Sequence, residues 1–242
     1  MFDLACQTTI QGQPLEATSQ VREHLLHGVG RRIRTIQRAV SQIFCLFPLE
    51  QTKPLSQDAL SDAQINLHAF VMNVYGLYDN WAWVFVLQHD LLDEVGGRGN
   101  VGLFKRKTQR FLPAPLRQYI EADRPTRWHN EYAKVFRDAL AHRIPPYIPP
   151  AEFTDQDTVR FNALDAEESK CIKEHRFDRV DQIQKEKAEI GTPAFYFLHA
   201  FTEPEQPKLC PLHGQILTDC AAATEFGKLF LQHWKTRDYP PA

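Results

Sequence analysis

Apolar residues recur every three or four positions over much of this chain, and that spacing predicts helices before any other property is considered. Val21, Leu25, Val29, Ile33, Ile36, Val40 and Phe44 mark a helix over 18–47, closed by Pro48. Gly28 and Gly30 weaken its middle by about 1 kcal/mol each relative to alanine, so a bend or a close neighbour is expected there. A second helix starts at Ser61, with Gln64 completing a capping-box pattern, or a turn earlier at Ser56, and runs to about residue 95. Its broad apolar face suits the centre of a bundle. Asn66, Asn73 and Asn80 stand seven apart in it, nearly in line, which predicts a polar seam.

Gly96, Gly97, Gly99 and Gly102 predict a helix end and a loop. Gly97 and Gly102 have the spacing of a phosphate loop, but Leu103 and Phe104 stand where lysine and Ser/Thr would be needed. A short helix is expected near 115–122. Pro125 and Thr126 then open a helix with Trp128, Tyr132, Val135, Phe136, Ala139 and Leu140 on its apolar stripe, ended by Pro145 and Pro146. Residues 151–190 are charged and weakly periodic, part helical over about 165–190. Residues 195–201 read as one strand or extended segment. Pro211 opens a last helix to about residue 235, with Ile216, Leu217, Cys220, Thr224, Leu231 and Trp234 inside. Residues 1–17 read as a strand or loose arm followed by a turn. The expected fold is all-α: one domain over 1–242, an antiparallel bundle of four main helices, with a charged insert at about 145–200 between the third and fourth.

A chain of 242 residues with 43% hydrophobic content can bury a sizeable core, which argues against disorder. A net charge of -2 removes any global basic signal, so nucleic-acid binding would need a local patch. Two patches exist: Arg31, Arg34 and Arg38 on one helix face, and Lys105, Arg106, Lys107 and Arg110 in the loop after the second helix. Phosphate neutralisation there would make affinity fall with salt. The start lacks a basic, apolar leader pattern, and no apolar run is long enough to span a membrane. Cys6, Cys45, Cys171, Cys210 and Cys220 are widely spaced and suit reduced thiols. A cytoplasmic location is the expectation. Cys210 and His213 have a metal-ligand gap without a second pair, so no metal is expected.

Three arginines stand five residues before a histidine: Arg22–His27, Arg124–His129 and Arg137–His142. Only Arg137 is followed by a short polar residue, Asp138, and only that pair ends a strongly apolar helix at a proline stop. The run Arg137-Asp138-Ala139-Leu140-Ala141-His142 resembles the HEPN superfamily, the higher eukaryote and prokaryote nucleotide-binding domains. That family's signature is arginine, then Asn, Asp or His, then histidine after a short gap, late in an all-α bundle. The local match covers about fifteen residues. The resemblance implies a metal-independent endoribonuclease of defence or stress, without a cofactor and dimeric, with RNA or a nucleotide as ligand and an antitoxin-like protein as a possible partner. It assigns proton transfer to His142, phosphate binding to Arg137 and orientation to Asp138, with Asp79 or Asn80 supporting from an earlier helix. The family also has non-catalytic members that bind nucleotides or proteins.

The residue chemistry suits the same roles. Arginine offers phosphate a planar donor fork, and histidine exchanges protons near neutral pH. Five residues turn a helix through about 140°, so the two side chains meet only if Arg137 reaches along the surface or a second copy completes the groove. As plain structure, both are cations suited to a helix C-terminus.

Overall fold

In the computed structural model, which describes residues 1–11, 18–198 and 209–236, the chain is mostly helical. It divides into two compact units, one comprising Met1–Val40, Leu67–Pro145 and Gly214–Ala242, the other Ser41–Asn66 and Pro146–His213.

The first unit opens with α1 (Phe2–Gln11), where a strand or loose arm was expected. Leu4 and Thr8, one turn apart, are both buried, and the Thr8 hydroxyl donates to the Leu4 carbonyl at 2.7 Å. Thr8 therefore serves an apolar position while satisfying its own polar atom, which hides the helical period from a reading by residue type. Leu4 sits so close to Gly227 that a Cβ there would come within 2.6 Å of it.

Thr18 then caps α2 (Ser19–Glu23) by accepting from the Val21 amide at 3.3 Å. A π-helical stretch, His24–Gly30, leads without a break into α3 (Arg31–Leu46). The expected close neighbour of Gly28 is Asn80, since a Cβ on Gly28 would lie 2.6 Å from the Asn80 amide nitrogen.

The central helix is α4 (Gln57–Gln88). Ser56 rather than Ser61 caps it, accepting from the Ala59 amide at 3.3 Å. It stops at Gln88 instead of about residue 95. Asp90 takes the left-handed conformation (φ 53°), and the Leu91 amide reaches back to the Val86 carbonyl at 2.9 Å. Those features form a helix-ending motif that aspartate tolerates through its short polar side chain. Trp81, Phe85, Leu77 and Val84 are fully buried along α4, and Trp81 packs against Phe230 with ring centroids 4.5 Å apart.

Short helices α5 (Arg106–Gln109) and α6 (Ala114–Glu121) follow the glycine loop. Next come α7 (Asp123–Trp128), a second π-helical stretch His129–Ala133, and α8 (Lys134–His142), continuous with one another. The last helix, α11 (Leu212–His233), buries Ile216, Ala223, Phe226, Phe230 and Leu231. Leu217, expected inside, is 57% exposed, because one residue beyond Ile216 turns it about 100° away from the buried stripe.

In the second unit the charged region folds as a hairpin of α9 (Asp155–Lys173) and α10 (Phe177–Ala188). A capping box of Thr154 and Asp157 starts α9 ten residues before the expected boundary. Cys171, Val180 and Ile183 form its small core, and Arg179 makes paired bonds to Glu167 at 2.8 and 3.2 Å and a third to Glu186 at 2.7 Å. Strands β1 (Tyr196–Phe197) and β2 (Cys210–Pro211) pair antiparallel. The remainder of the expected 195–201 segment, beyond residue 198, lies outside the described residues. Among the described residues no helix is long and apolar enough to cross a membrane.

Candidate functional site

The polar seam of α4 is a cradle for an arginine that the sequence reading passed over. Arg32, half-buried on α3, donates from Nε to Asn80 Oδ1 at 2.6 Å and from Nη1 to Asn73 Oδ1 at 3.2 Å. Gly76 lies between the two asparagines along the helix, and a Cβ there would overlap the Arg32 guanidinium. Residues i, i+3 and i+7 share one face, so Asn73, Gly76 and Asn80 form one side of the slot. Asn66, the third in line, instead bonds back onto its own helix by donating to the Asp62 carbonyl at 2.8 Å.

Arg137 approaches α4 from α8. Its guanidinium carbon lies 4.6 Å from the Tyr75 ring centroid, Nη2 donates to the Tyr75 hydroxyl at 3.3 Å, and Nη1 pairs with Asp138 at 2.9 Å. Its Nε is buried without a hydrogen-bond partner. Burial opposes the charge on Arg137, but Tyr75, Asp138 and Asp79 together raise its pKa above the ordinary value.

Asp79 follows Tyr75 by one turn. Although it reaches solvent, the surrounding protein desolvates its carboxyl and raises its pKa, while Lys105, Arg137 and Arg32 pull the other way. One carboxylate therefore sits in the field of three cations drawn from α3, α8 and the glycine loop.

The imidazole that shares the Tyr75 ring with Arg137 belongs to His129. His129 stacks on Phe104 with centroids 3.8 Å apart and on Tyr75 at 5.8 Å. Desolvation lowers its pKa, opposed by a bond to Asn130, and Lys134 and Arg137 lower it further. At neutral pH the ring is uncharged, which suits a stacking surface. Eight residues separate His129 from Arg137, which in a regular helix leaves them about 80° apart. The π-helical turn absorbs one residue and reduces this to about 20°, so both face Tyr75. A reading at strict helical period has no means of finding that pairing. The one available signal was the Arg124–His129 spacing, which lacked a polar residue after the arginine.

His142, seven residues after Val135 of the apolar stripe, is exposed on the last residue of α8. It lies five residues, or about 7.5 Å of helix rise, beyond Arg137. The structure thus brings together Arg137, Asp138 and Asp79, holds Asn80 with Arg32, and leaves His142 open to solvent. Between Asp79, Tyr75, His129, Phe104 and Trp128 remains a cavity of about 10 Å³, room for one water.

No family model, curated protein or solved structure matches this chain.

Of the two basic patches, Arg31, Arg34 and Arg38 are exposed along α3. In the second, Lys105 donates to the Gly99 carbonyl at 2.7 Å and Arg110 to the Glu94 carbonyl at 2.5 Å, with its guanidinium 4.5 Å from the Phe111 ring centroid. Those two cations brace the glycine loop, whereas Arg106 and Lys107 face solvent. Cys210 is buried, and His213 turns Nε2 to the Phe47 carbonyl at 2.7 Å. Among the described residues, no group of three His, Cys, Asp or Glu is gathered for a metal ion.

Proposed function

We propose that this chain is a HEPN-like protein that cleaves RNA without a metal ion, using Arg137, Asp138 and His142 at the end of α8. The observation carrying this reading is the contrast between the two motif residues. Arg137 is held in place by Tyr75 and Asp138 near Asp79, while His142 stands at the solvent-open helix end. A fixed guanidinium and an open imidazole are the division of labour that phosphate binding and proton transfer require. Arg137 binds the scissile phosphate through Nη1, the phosphate taking the place of Asp138 there. His142 exchanges the proton of a ribose 2′-OH, whose oxygen attacks phosphorus as the bond to the 5′-oxygen breaks. Because the two side chains diverge along one helix, a second copy of the chain completes the groove. In this reading α2–α3, α4, α7–α8 and α11 are the four main helices of the bundle, and the α9–α10 hairpin belongs to the insert.

Such chemistry leaves a 2′,3′-cyclic phosphate and a 5′-hydroxyl. Mapping the ends made from an unstructured RNA in EDTA is the test. Cyclic phosphate ends that disappear in His142→Ala are expected, and 5′-phosphate ends would overturn the proposal.

A second reading keeps the fold and drops the catalysis. It is favoured by the engagement of Arg137 with three groups of its own chain, which suits a structural cation in a nucleotide- or protein-binding module. An inactive protein that gains thermal stability with a nucleotide would support it.

A further inference from the structure

Between α6–α7 and α11 the first unit holds a groove of about 830 Å³, a size typical of small-molecule sites. It contains neither Arg137 nor His142. One wall is aromatic: Trp128 packs on Tyr78 and Phe104 with centroids 5.1 and 6.4 Å away. On α11 the lining is Gln215, Thr218, Ala221, Ala222 and Glu225, whose three small side chains leave a slot beside those rings.

Trp128 is not free to turn. Its indole Nε1 donates to Asp219 Oδ1 at 2.8 Å, and Gln215 Nε2 donates to the same oxygen at 2.7 Å. Asp219 is buried beneath the slot, and burial pushes its carboxyl up to about 7 despite both donors. The indole is thereby presented as a fixed stacking surface. The same bonds decide the polar character of the α11 wall. Gln215 spends one of its two amide N–H groups on Asp219, and Thr218 spends its hydroxyl proton on the Gly214 carbonyl at 2.8 Å. Thr218 is left as an acceptor and Gln215 with its carbonyl oxygen and one N–H, so the slot suits a flat ring whose edge carries N–H groups beside an acceptor.

The rim adds charge. Arg124 and Arg127 line the groove, are exposed, and make no ion pair among the described residues. Of the three carboxylates there, Glu225 takes the Tyr119 hydroxyl at 3.1 Å, Glu131 is also engaged, and Asp123 is exposed beside Arg124. The groove therefore offers two unpaired guanidinium groups beside a stacking slot, complementary to a ring that carries an anion.

We propose that this groove binds a free purine nucleoside monophosphate, its base stacked on Trp128 with N–H groups toward Gln215 and Thr218, its phosphate between Arg124 and Arg127. Asp219 is a positioning residue that fixes the indole.

The test is calorimetric titration of the full chain with GMP, with guanosine, inorganic phosphate and a short RNA as controls. GMP is expected to bind more tightly than guanosine or phosphate alone. The exposed double variant Arg124→Ala/Arg127→Ala should lose about tenfold or more in GMP affinity and little in guanosine affinity, since bonds to a charged group are removed. Ala221→Phe, which fills the slot from the helix surface, should abolish binding of both. Arg137→Ala and His142→Ala should bind GMP as the wild type does, which separates this site from RNA cleavage. No GMP binding, unchanged GMP affinity in the rim and slot variants, phosphate bound as tightly as GMP, or RNA binding lost in Arg124→Ala/Arg127→Ala would each overturn the proposal.

Discussion

Arg137 rests against Tyr75, its guanidinium carbon 4.6 Å from the ring centroid and Nη2 bonded to the hydroxyl. Both the ring face and its polar tip are engaged by one side chain, which fixes Arg137 more firmly than its neighbour Asp138 alone would. Tyr75→Phe removes the hydroxyl bond and keeps the ring, and should cost about 0.5–1.5 kcal/mol in urea unfolding. Tyr75→Ala also removes the stacking surface of His129 and should cost more. Equal stability of the two variants would show that the ring contributes nothing.

The Arg32 cradle makes a sharper stability test. Gly76→Ala places a methyl group where the guanidinium lies, and overpacking of this kind costs about 1–3 kcal/mol. Combining it with Arg32→Ala should relieve the clash, so the double mutant should be more stable than the sum of the single losses predicts. Strict additivity in a double-mutant cycle would refute the contact.

Asp219 sets a pH dependence whose direction is specific. Its folded pKa of about 7 exceeds the ordinary carboxylate value, so the folded state holds the proton more tightly than the unfolded chain. Stability tied to this group is fully present below about pH 4, falls as pH rises toward 7, and stays lost above. Asp219→Asn keeps an acceptor for Trp128 and Gln215 without a charge to bury. It should gain stability at pH 8, by up to ~4 kcal/mol, with little change at pH 4. A variant no more stable than wild type at pH 8 would contradict the burial of this carboxyl.

Leu4 tests the helix at the start of the chain. It is fully buried against Gly227, so Leu4→Ala should cost about 2–5 kcal/mol by thermal unfolding. A loose arm would lose almost nothing.

Some of this arrangement was legible from residue types. The apolar period placed the long helices, Pro145 and Pro146 marked the end of α8, and Gly28 and the asparagine line announced close approach and a polar seam. α1 was hidden because Thr8 occupies a core position by bonding its own backbone. Arg32, the seam's partner, was hidden because its role depends on Gly76, across a helix pair separated by more than forty residues. His129 escaped because a π-helical turn breaks the period by which faces are counted. His142 follows Val135 of the apolar stripe by seven residues, a step that keeps to one helix face, yet the helix ends on it and leaves it exposed.

The most direct measurement is the rate of cleavage of a single-stranded RNA in EDTA by wild type, His142→Ala, His129→Ala and Arg137→Ala. Loss of a general acid–base group removes about 10²–10⁴ in rate, so His142→Ala should be nearly inactive. Arg137→Ala should fall steeply as well, and His129→Ala, which alters only stacking, should stay within about tenfold of wild type. Cleavage in EDTA that persists unchanged in His142→Ala, or that His129→Ala alone abolishes, would contradict the assignment of the chemistry to the end of α8.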